Sequence, residues 1–292
     1  MKNIQWIPKV VLTLLLGLLA VVMLVPIVLT FTNSLMTEQE IGRNYDLLGQ
    51  MIDVEQGGKD AFVNLKLIPD WLSFGQYAEV LVLTSKFLGM FWNSVALVVP
   101  IVAGQAVVAS LAAYAFAKLR FFGRDKLFML YLLAMLMPFQ VTLVPNYIVI
   151  DKLGLMNHAS AIILPGIFGA FGVFMMRQFM AHIPGAYSEA AMMDGGGAWV
   201  IFWRIILPLA KPGLAALAVL LFVDYWNMIE QPLIFLQDAY KQPLSLYLAQ
   251  INKEARGIGF AASTLYMAPM VLLFLYAESY FIEGIQLSGI KG

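Results

Sequence analysis

Cysteine is missing from this chain of 292 residues, which removes disulfide bonds, thiol nucleophiles and cysteine-based metal sites together and leaves the redox compartment open. Charge is also scarce. Only 12% of the residues are charged, against about a quarter in soluble proteins. The 18 basic and 18 acidic side chains cancel, so there is no global positive field to hold nucleic acid. Histidine occurs twice, as His158 and His182, in separate loops and without metal-ligand spacing. Both read as loop residues, and no metal site is expected. A G-x-x-x-x-G-K-[ST] phosphate loop and a G-x-S-x-G nucleophile motif are absent, and the scattered acids form no convincing catalytic pair. Enzymatic chemistry is not expected of these residues.

What the chain has in abundance is apolar length: 61% of it is hydrophobic, with a mean hydropathy of +0.80. A membrane-spanning helix needs about 20 mostly apolar residues. Six stretches qualify, near Val10 to Thr30, Phe91 to Ala117, Leu127 to Val144, Ala161 to Met180, Gly213 to Ile229 and Ala262 to Ile282. The expected fold class is therefore an all-α polytopic membrane protein with six transmembrane helices. Lys2 and Lys9 precede the first stretch, but its apolar run exceeds a signal-peptide core and no small-x-small site follows, so it reads as an uncleaved span.

Lys and Arg are enriched in short cytoplasmic loops. With both termini inside, that side collects Lys2, Lys9, Lys118, Arg120, Arg124, Lys126, Arg177, Arg204, Lys211 and Lys291. The first external segment, residues 31–87, is acid-rich, with eight acids against four bases. Its GQMIDVEQGGKD part reads as exposed loop, whereas Ile68 to Tyr77 carries aromatic anchors suited to a membrane interface, so a small cap is expected there. No internal repeat is evident.

Residues 189–208 read EAAMMDGGGAWVIFWRIILP, too broken at the start to cross a membrane and too apolar later for a solvated loop. The topology puts this stretch in the cytoplasm. Ile183 to Ser188 can start a short helix favoured by Glu189 near its beginning, Ala190 and Ala191 give it a slim face, and Gly195 to Gly197 allow a sharp turn. Beyond the turn, Trp199, Phe202, Trp203 and Ile206 form an amphipathic stripe for the interface or neighbouring spans. Arg204 can snorkel to water, and Pro208 and Pro212 bracket the return into span five. On spacing alone, a helical hairpin that merely stabilises the bundle accounts for the stretch equally well.

The same spacing resembles the EAA signature of permease subunits of ABC importers: EAA, three residues, G, nine residues, I-x-L-P. Glu189, Ala190, Ala191, Gly195, Ile205, Leu207 and Pro208 fall in register. Further pieces resemble the carbohydrate-importer permeases of maltose-transporter type: Phe91 to Ser94, Ala113 to Phe121 with Gly123-Arg124, Met137-Pro138, Gly154-Leu155, Ile163 to Pro165, Trp226-Asn227, Pro232-Leu233 and the closing GIQLSGIKG. The sequence departs from the family pattern at DGGG and at Glu278-Ser279.

This resemblance implies a single permease domain over residues 1–292 with the type I importer fold, a cytoplasmic EAA coupling loop at 183–212, a last external loop at 230–261 and a cytoplasmic tail at 284–292. It implies a prokaryotic cytoplasmic (inner) membrane, import of a sugar or oligosaccharide, and ATP and Mg bound by a partner ATPase rather than by this chain. The implied partners are a second homologous permease, two copies of the ATPase and an extracytoplasmic solute-binding protein that the last external loop contacts, besides membrane lipid. ATPase coupling is assigned to Glu189, Ala190, Ala191, Met192, Met193, Asp194, Gly195, Ile205, Leu207 and Pro208.

Candidates for the substrate path are Asp224, Tyr225, Trp226 and Asn227 with Gln231, then Gln140, Asn146 and Tyr147, because polar groups at membrane depth tend to face a cavity or protein. An aromatic belt with helix-end polar residues is the competing reading. Methionines such as Met129, Met135, Met137, Met175 and Met176 read as adaptable packing, with Met192 and Met193 available to a docked ATPase. A secondary transporter would bury ionisable groups in mid-membrane, and the span centres are nearly free of them. A polyamine or an inorganic anion remains the alternative cargo, because the coupling signature reports the energy source and not the solute.

Overall fold

The computed structural model describes residues 6–45, 65–250 and 256–289. The GQMIDVEQGGKD stretch, Lys2 and Lys291 lie outside the described residues, as do parts of both outer loops and the last three residues of the closing segment. Within the single domain expected, the chain groups into two compact units: residues 1–88 with 248–268, and residues 89–247 with 269–292.

In the first unit, α1 (Trp6–Asn33) is a long apolar helix whose most apolar 18-residue window has no buried residue. A polar cluster comes after it around α2 (Glu38–Tyr45). Asn33 Nδ2 donates to the Tyr45 hydroxyl at 2.5 Å, Ser34 and Tyr77 share a 2.6 Å hydroxyl pair, and Gln76 Nε2 donates to the Met36 carbonyl at 2.6 Å. Glu40 accepts from the Asp70 amide at 2.9 Å and pairs with Lys66 at 2.9 Å. Lys66 also meets Asp70 at 2.5 Å, and these hydrogen bonds, that to Asp70 first, raise its pKa above the ordinary 10.5. Met36, Ile41 and Tyr45 form a small apolar centre with Phe260. The described part of the segment expected to form a cap is stapled by these polar contacts, with Trp71 and Phe74 exposed on it.

The second unit holds the bundle. It is built on α4 (Ser85–Lys118), which the apolar run Phe91 to Ala117 made legible. The expected third span, Leu127 to Val144, is not one rod: α5 (Arg124–Met135) and α6 (Phe139–Lys152) are bent by 99° at a break before Pro138. A window of hydropathy averages across such a break, while proline removes the amide that would continue the helix and excludes the α region for its predecessor. The fourth span divides gently into α7 (Ser160–Ile167) and α8 (Ala170–His182) at Phe168-Gly169. Small residues let α4 approach this pair. A Cβ added to Gly104 would lie 2.6 Å from Ile167, and one on Gly166 2.9 Å from Ile101. Gln105, buried in the middle of α4, donates to the Gly169 carbonyl at the break, 3.1 Å away.

After α8 come α9 (Gly185–Met193), α10 (Ala198–Ile201), a π turn over Phe202–Ile206, α11 (Leu207–Leu209) and α12 (Lys211–Trp226). The chain bends by 72° between Leu209 and Lys211. The connection expected to be external is largely helical: α13 (Glu230–Phe235), α14 (Leu244–Ala249), then α15 (Arg256–Gly289), which runs into the segment set apart as a tail. Four helices are long and apolar enough to cross a membrane, and the two bent pairs bring the number to six.

Candidate functional site: the projecting hairpin and the polar end of span five

Residues 183–212 leave the bundle and return. Helix α8 ends in extended backbone at Ile183 (ψ 124°) and Pro184 (ψ 139°), which starts α9 in a new direction. Asp194 caps α9, and Gly195 comes next in the left-handed region at φ 82°. The Gly195 amide then donates to Met192 O at 3.0 Å and the Gly196 amide to Ala191 O at 2.8 Å. This is the paired-bond closure that ends helices on a left-handed glycine. The sequence-based turn at Gly195 therefore has a defined form.

Almost nothing covers α9. Only Ser188 among its residues is buried. Glu189 and Ala190 are exposed, Ala191 touches the main apolar core, and Met192 and Met193 are 57% and 88% exposed. Beyond the turn the expected stripe of Trp199, Phe202, Trp203 and Ile206 divides. Phe202 and Ile206 are buried with Ile201 and Ala210, whereas Trp199 and Trp203 are exposed. The π turn adds a residue to the cycle and shifts the register, which a 3.6-residue period cannot show. Ile205 and Leu207 pack partly on the core, and Pro208 and Arg204 are exposed.

Two donors on α4 reach this hairpin, a contact that the sequence reading, which uses Lys118 for topology, does not foresee. The Tyr114 hydroxyl donates to Ala198 O at 3.0 Å and Lys118 Nζ to Ile183 O at 2.5 Å. They tie the cytoplasm-assigned Lys118 of the sequence reading directly to the backbone of the hairpin.

The second candidate region is the end of α12. Asp224 is exposed and makes no hydrogen bond or ion pair among the described residues. Tyr225 is half-buried, with its hydroxyl 3.5 Å from Gly166 O. Trp226 is 1% exposed, stacked on Phe222 at 5.0 Å and edge-on to Phe91 at 5.6 Å. Trp226 therefore packs between neighbouring rings in this structure. Asn227 donates to Val223 O at 2.7 Å. Gln140, just past the bend of the third span, donates to both Glu230 oxygens at 3.1 and 3.2 Å. The structure thereby joins Gln140 to the Asp224–Gln231 group through Glu230, a residue outside the candidate set. Gln231 follows Glu230 in α13 and is half-buried, as is Asn146, while Tyr147 is exposed.

The connection between α12 and α15 is pinned by residues of the Phe91 to Ser94 piece. Asn93 Nδ2 donates to Tyr240 O at 2.6 Å and Gln242 O at 3.1 Å, and Ser94 Oγ accepts from the Leu244 amide at 2.8 Å. Asn157, itself at φ 61°, accepts from the Asp238 amide at 3.0 Å. The Tyr240 side chain stands 86% exposed on this held loop.

The structure thus defines a helical membrane protein in which a short capped helix projects between two spans. The comparisons make this specific: residues 90–283 match the family of binding-protein-dependent transport system inner membrane components, and the chain belongs to that family. It is similar to the arabinooligosaccharides transport system permease protein AraQ of Halalkalibacterium halodurans, 32% identical over 233 residues, covering 79% of this chain and 84% of that protein. It is also similar to the sn-glycerol-3-phosphate transport system permease protein UgpE of Yersinia enterocolitica, 32% identical over 204 residues, covering 67% and 72% of the two chains. A chain of a bacterial ABC transporter involved in the import of the acidic polysaccharide alginate superposes with a TM-score of 0.77 at 24% identity, over 96% of this chain and 99% of that one. The fold is that of a type I importer permease. The chain is accordingly a non-catalytic, multi-pass inner-membrane permease of an ABC importer that works with an ATPase and a solute-binding protein.

Proposed function

We propose that this permease imports a sugar or oligosaccharide, forms the translocation path with a second, related permease, and is driven through residues 183–212 by a pair of cytoplasmic ATPase subunits that hold ATP and Mg. Both termini and the hairpin lie on the cytoplasmic side in this reading, and the Tyr240 loop meets the solute-binding protein outside. The observation that carries it is the bare helix α9, whose Met192 and Met193 are 57% and 88% exposed on a segment that also bears Glu189, Ala190 and Gly195 in the EAA register. Adjacent exposed methionines on a projecting helix suit an adaptable protein contact. ATP-driven closure of the ATPases then selects one bundle arrangement by its differential affinity for the two.

The sugar assignment draws on the arabinooligosaccharide relative and on acceptors such as Asp224 and Glu230 near the end of α12, which suit hydroxyl donors. The glycerol phosphate relative keeps phosphorylated polyols as the alternative cargo. The test is mild-detergent purification of the tagged chain from its host, with identification of co-purifying subunits, ATP hydrolysis, and uptake in proteoliposomes. Recovery of a sister permease and an ATPase, with sugar-dependent uptake that Glu189→Lys abolishes, is expected. Uptake by the isolated chain without ATP would overturn the reading.

A further inference from the structure

The hairpin is held at both of its roots by one face of one helix. At its start Lys118 Nζ bonds the Ile183 carbonyl at 2.5 Å, and at its return the Tyr114 hydroxyl bonds the Ala198 carbonyl at 3.0 Å. Positions 114 and 118 are four apart on α4, so the two donors point the same way. Tyr114 is 7% exposed and its ring lies 5.2 Å from that of Phe202, which fixes the hydroxyl where it stands. Between the two roots, α9 is exposed along nearly its whole length.

A segment fastened at two ends and bare between them transmits a push to whatever holds the ends. Chain continuity delivers such a push to α8 and, through α10 and α11, to α12. To α4, which is not adjacent to the hairpin in the chain, the push passes through apolar packing around Phe202 and through the two hydrogen bonds, which alone fix direction and reach the start of the hairpin at Ile183. We propose that Tyr114 and Lys118 are positioning residues that make α4 move with the hairpin, so that ATPase movement reaches the second span as well as the fourth and fifth. This proposal rests on the reading of residues 183–212 as the coupling loop.

Because this chain has no cysteine, a single introduced one is its sole label site, and the test uses the importer assembled in proteoliposomes with accessible cysteines of the other subunits blocked or replaced. A single Val107→Cys substitution, at an exposed position of α4 in the same span, carries a spin label whose ATP-dependent mobility reports movement of that helix. Tyr114→Phe with Lys118→Met removes both donors and keeps the ring and the aliphatic stem. The expected result is that the ATPase still co-purifies, the ATP response of the label at 107 is strongly reduced, and uptake per ATP falls about tenfold, the scale of losing a hydrogen bond to a charged donor. Lys118→Arg, which keeps a donor, should restore most of the response.

Wild-type uptake per ATP and an unchanged label response in the double variant would overturn the clamp, while the coupling-loop reading would stand if Glu189→Lys still dislodges the ATPase. An unaffected Glu189→Lys importer would instead bring down the underlying reading. Should the double variant fail to accumulate, Tyr114→Phe alone decides, because it keeps the ring against Phe202: unchanged uptake per ATP in it overturns the role of Tyr114.

Discussion

Gly195 sits at φ 82°, where a β-branched side chain is strained, and a Cβ on Gly196 would lie 2.8 Å from the Ala191 carbonyl oxygen. Gly197 has open space around its missing Cβ and an ordinary extended backbone. The three adjacent glycines are therefore unequal. Left-handed backbone costs an L-residue roughly 1–2 kcal/mol, so Gly195→Val should lower the fraction of ATPase docked on the hairpin about tenfold, and Gly197→Ala should leave it unchanged. The amount of ATPase retained on purification, at equal membrane levels of the two variants, checks this. The turn at Gly195 was legible because glycine has few rivals in that conformation. The inward turn of Trp226 was not, since an aromatic residue at a helix end reads equally as belt, solute platform or core. What decided it was Phe91, more than a hundred residues away in sequence and 5.6 Å away in space.

At the scale of elements, α4 meets α7 and α8 through small residues, the means by which membrane helices gain close packing without a hydrophobic drive. A Cβ on Gly172 would lie 2.9 Å from Gln105 Nε2 and 3.0 Å from Ala109 Cβ, whereas one on Gly89 would meet nothing within 4 Å. Gly172→Val should thus destabilise the bundle by about 1–3 kcal/mol, the usual cost of overpacking, and Gly89→Ala should not. Thermal unfolding in detergent separates them. The cap unit gives a pH expectation. Lys66 has its pKa raised by Asp70 and Glu40, so its contribution is complete below the unfolded value of 10.5 and is lost only as pH rises beyond that, through the elevated value. The fluorescence of Trp71, beside Asp70, should be steady through neutral pH and change in strong alkali. Apolar length made the six spans legible. The 99° bend at Pro138 was hidden by the same averaging that finds spans. Gln140 lies just beyond that bend, and the turn of the chain there brings its amide to Glu230, 90 residues away in sequence.

At the scale of the whole molecule, the family match begins at residue 90, after the first span and the cap. Helix α1 is more apolar than the three other spans made of an unbent helix, and its most apolar window is entirely unburied. Leu217 on α12, by contrast, is fully buried in the main apolar core. A helix that satisfies its own backbone and presents only apolar side chains is stable in lipid without neighbours, so residues on α1 are free to serve either lipid or another subunit. These two roles separate experimentally. In the isolated chain in detergent, Leu14→Ala with Leu18→Ala should leave the unfolding temperature unchanged, while Leu217→Ala should cost about 2–5 kcal/mol. In the assembled importer the α1 substitutions should remain silent if that helix faces lipid. If they weaken retention of the second permease there, and only there, α1 is a contact between the permeases. Its apolar surface, bare at Leu14 and Leu18 by 68% and 67%, then belongs to the assembly rather than to the fold of this chain.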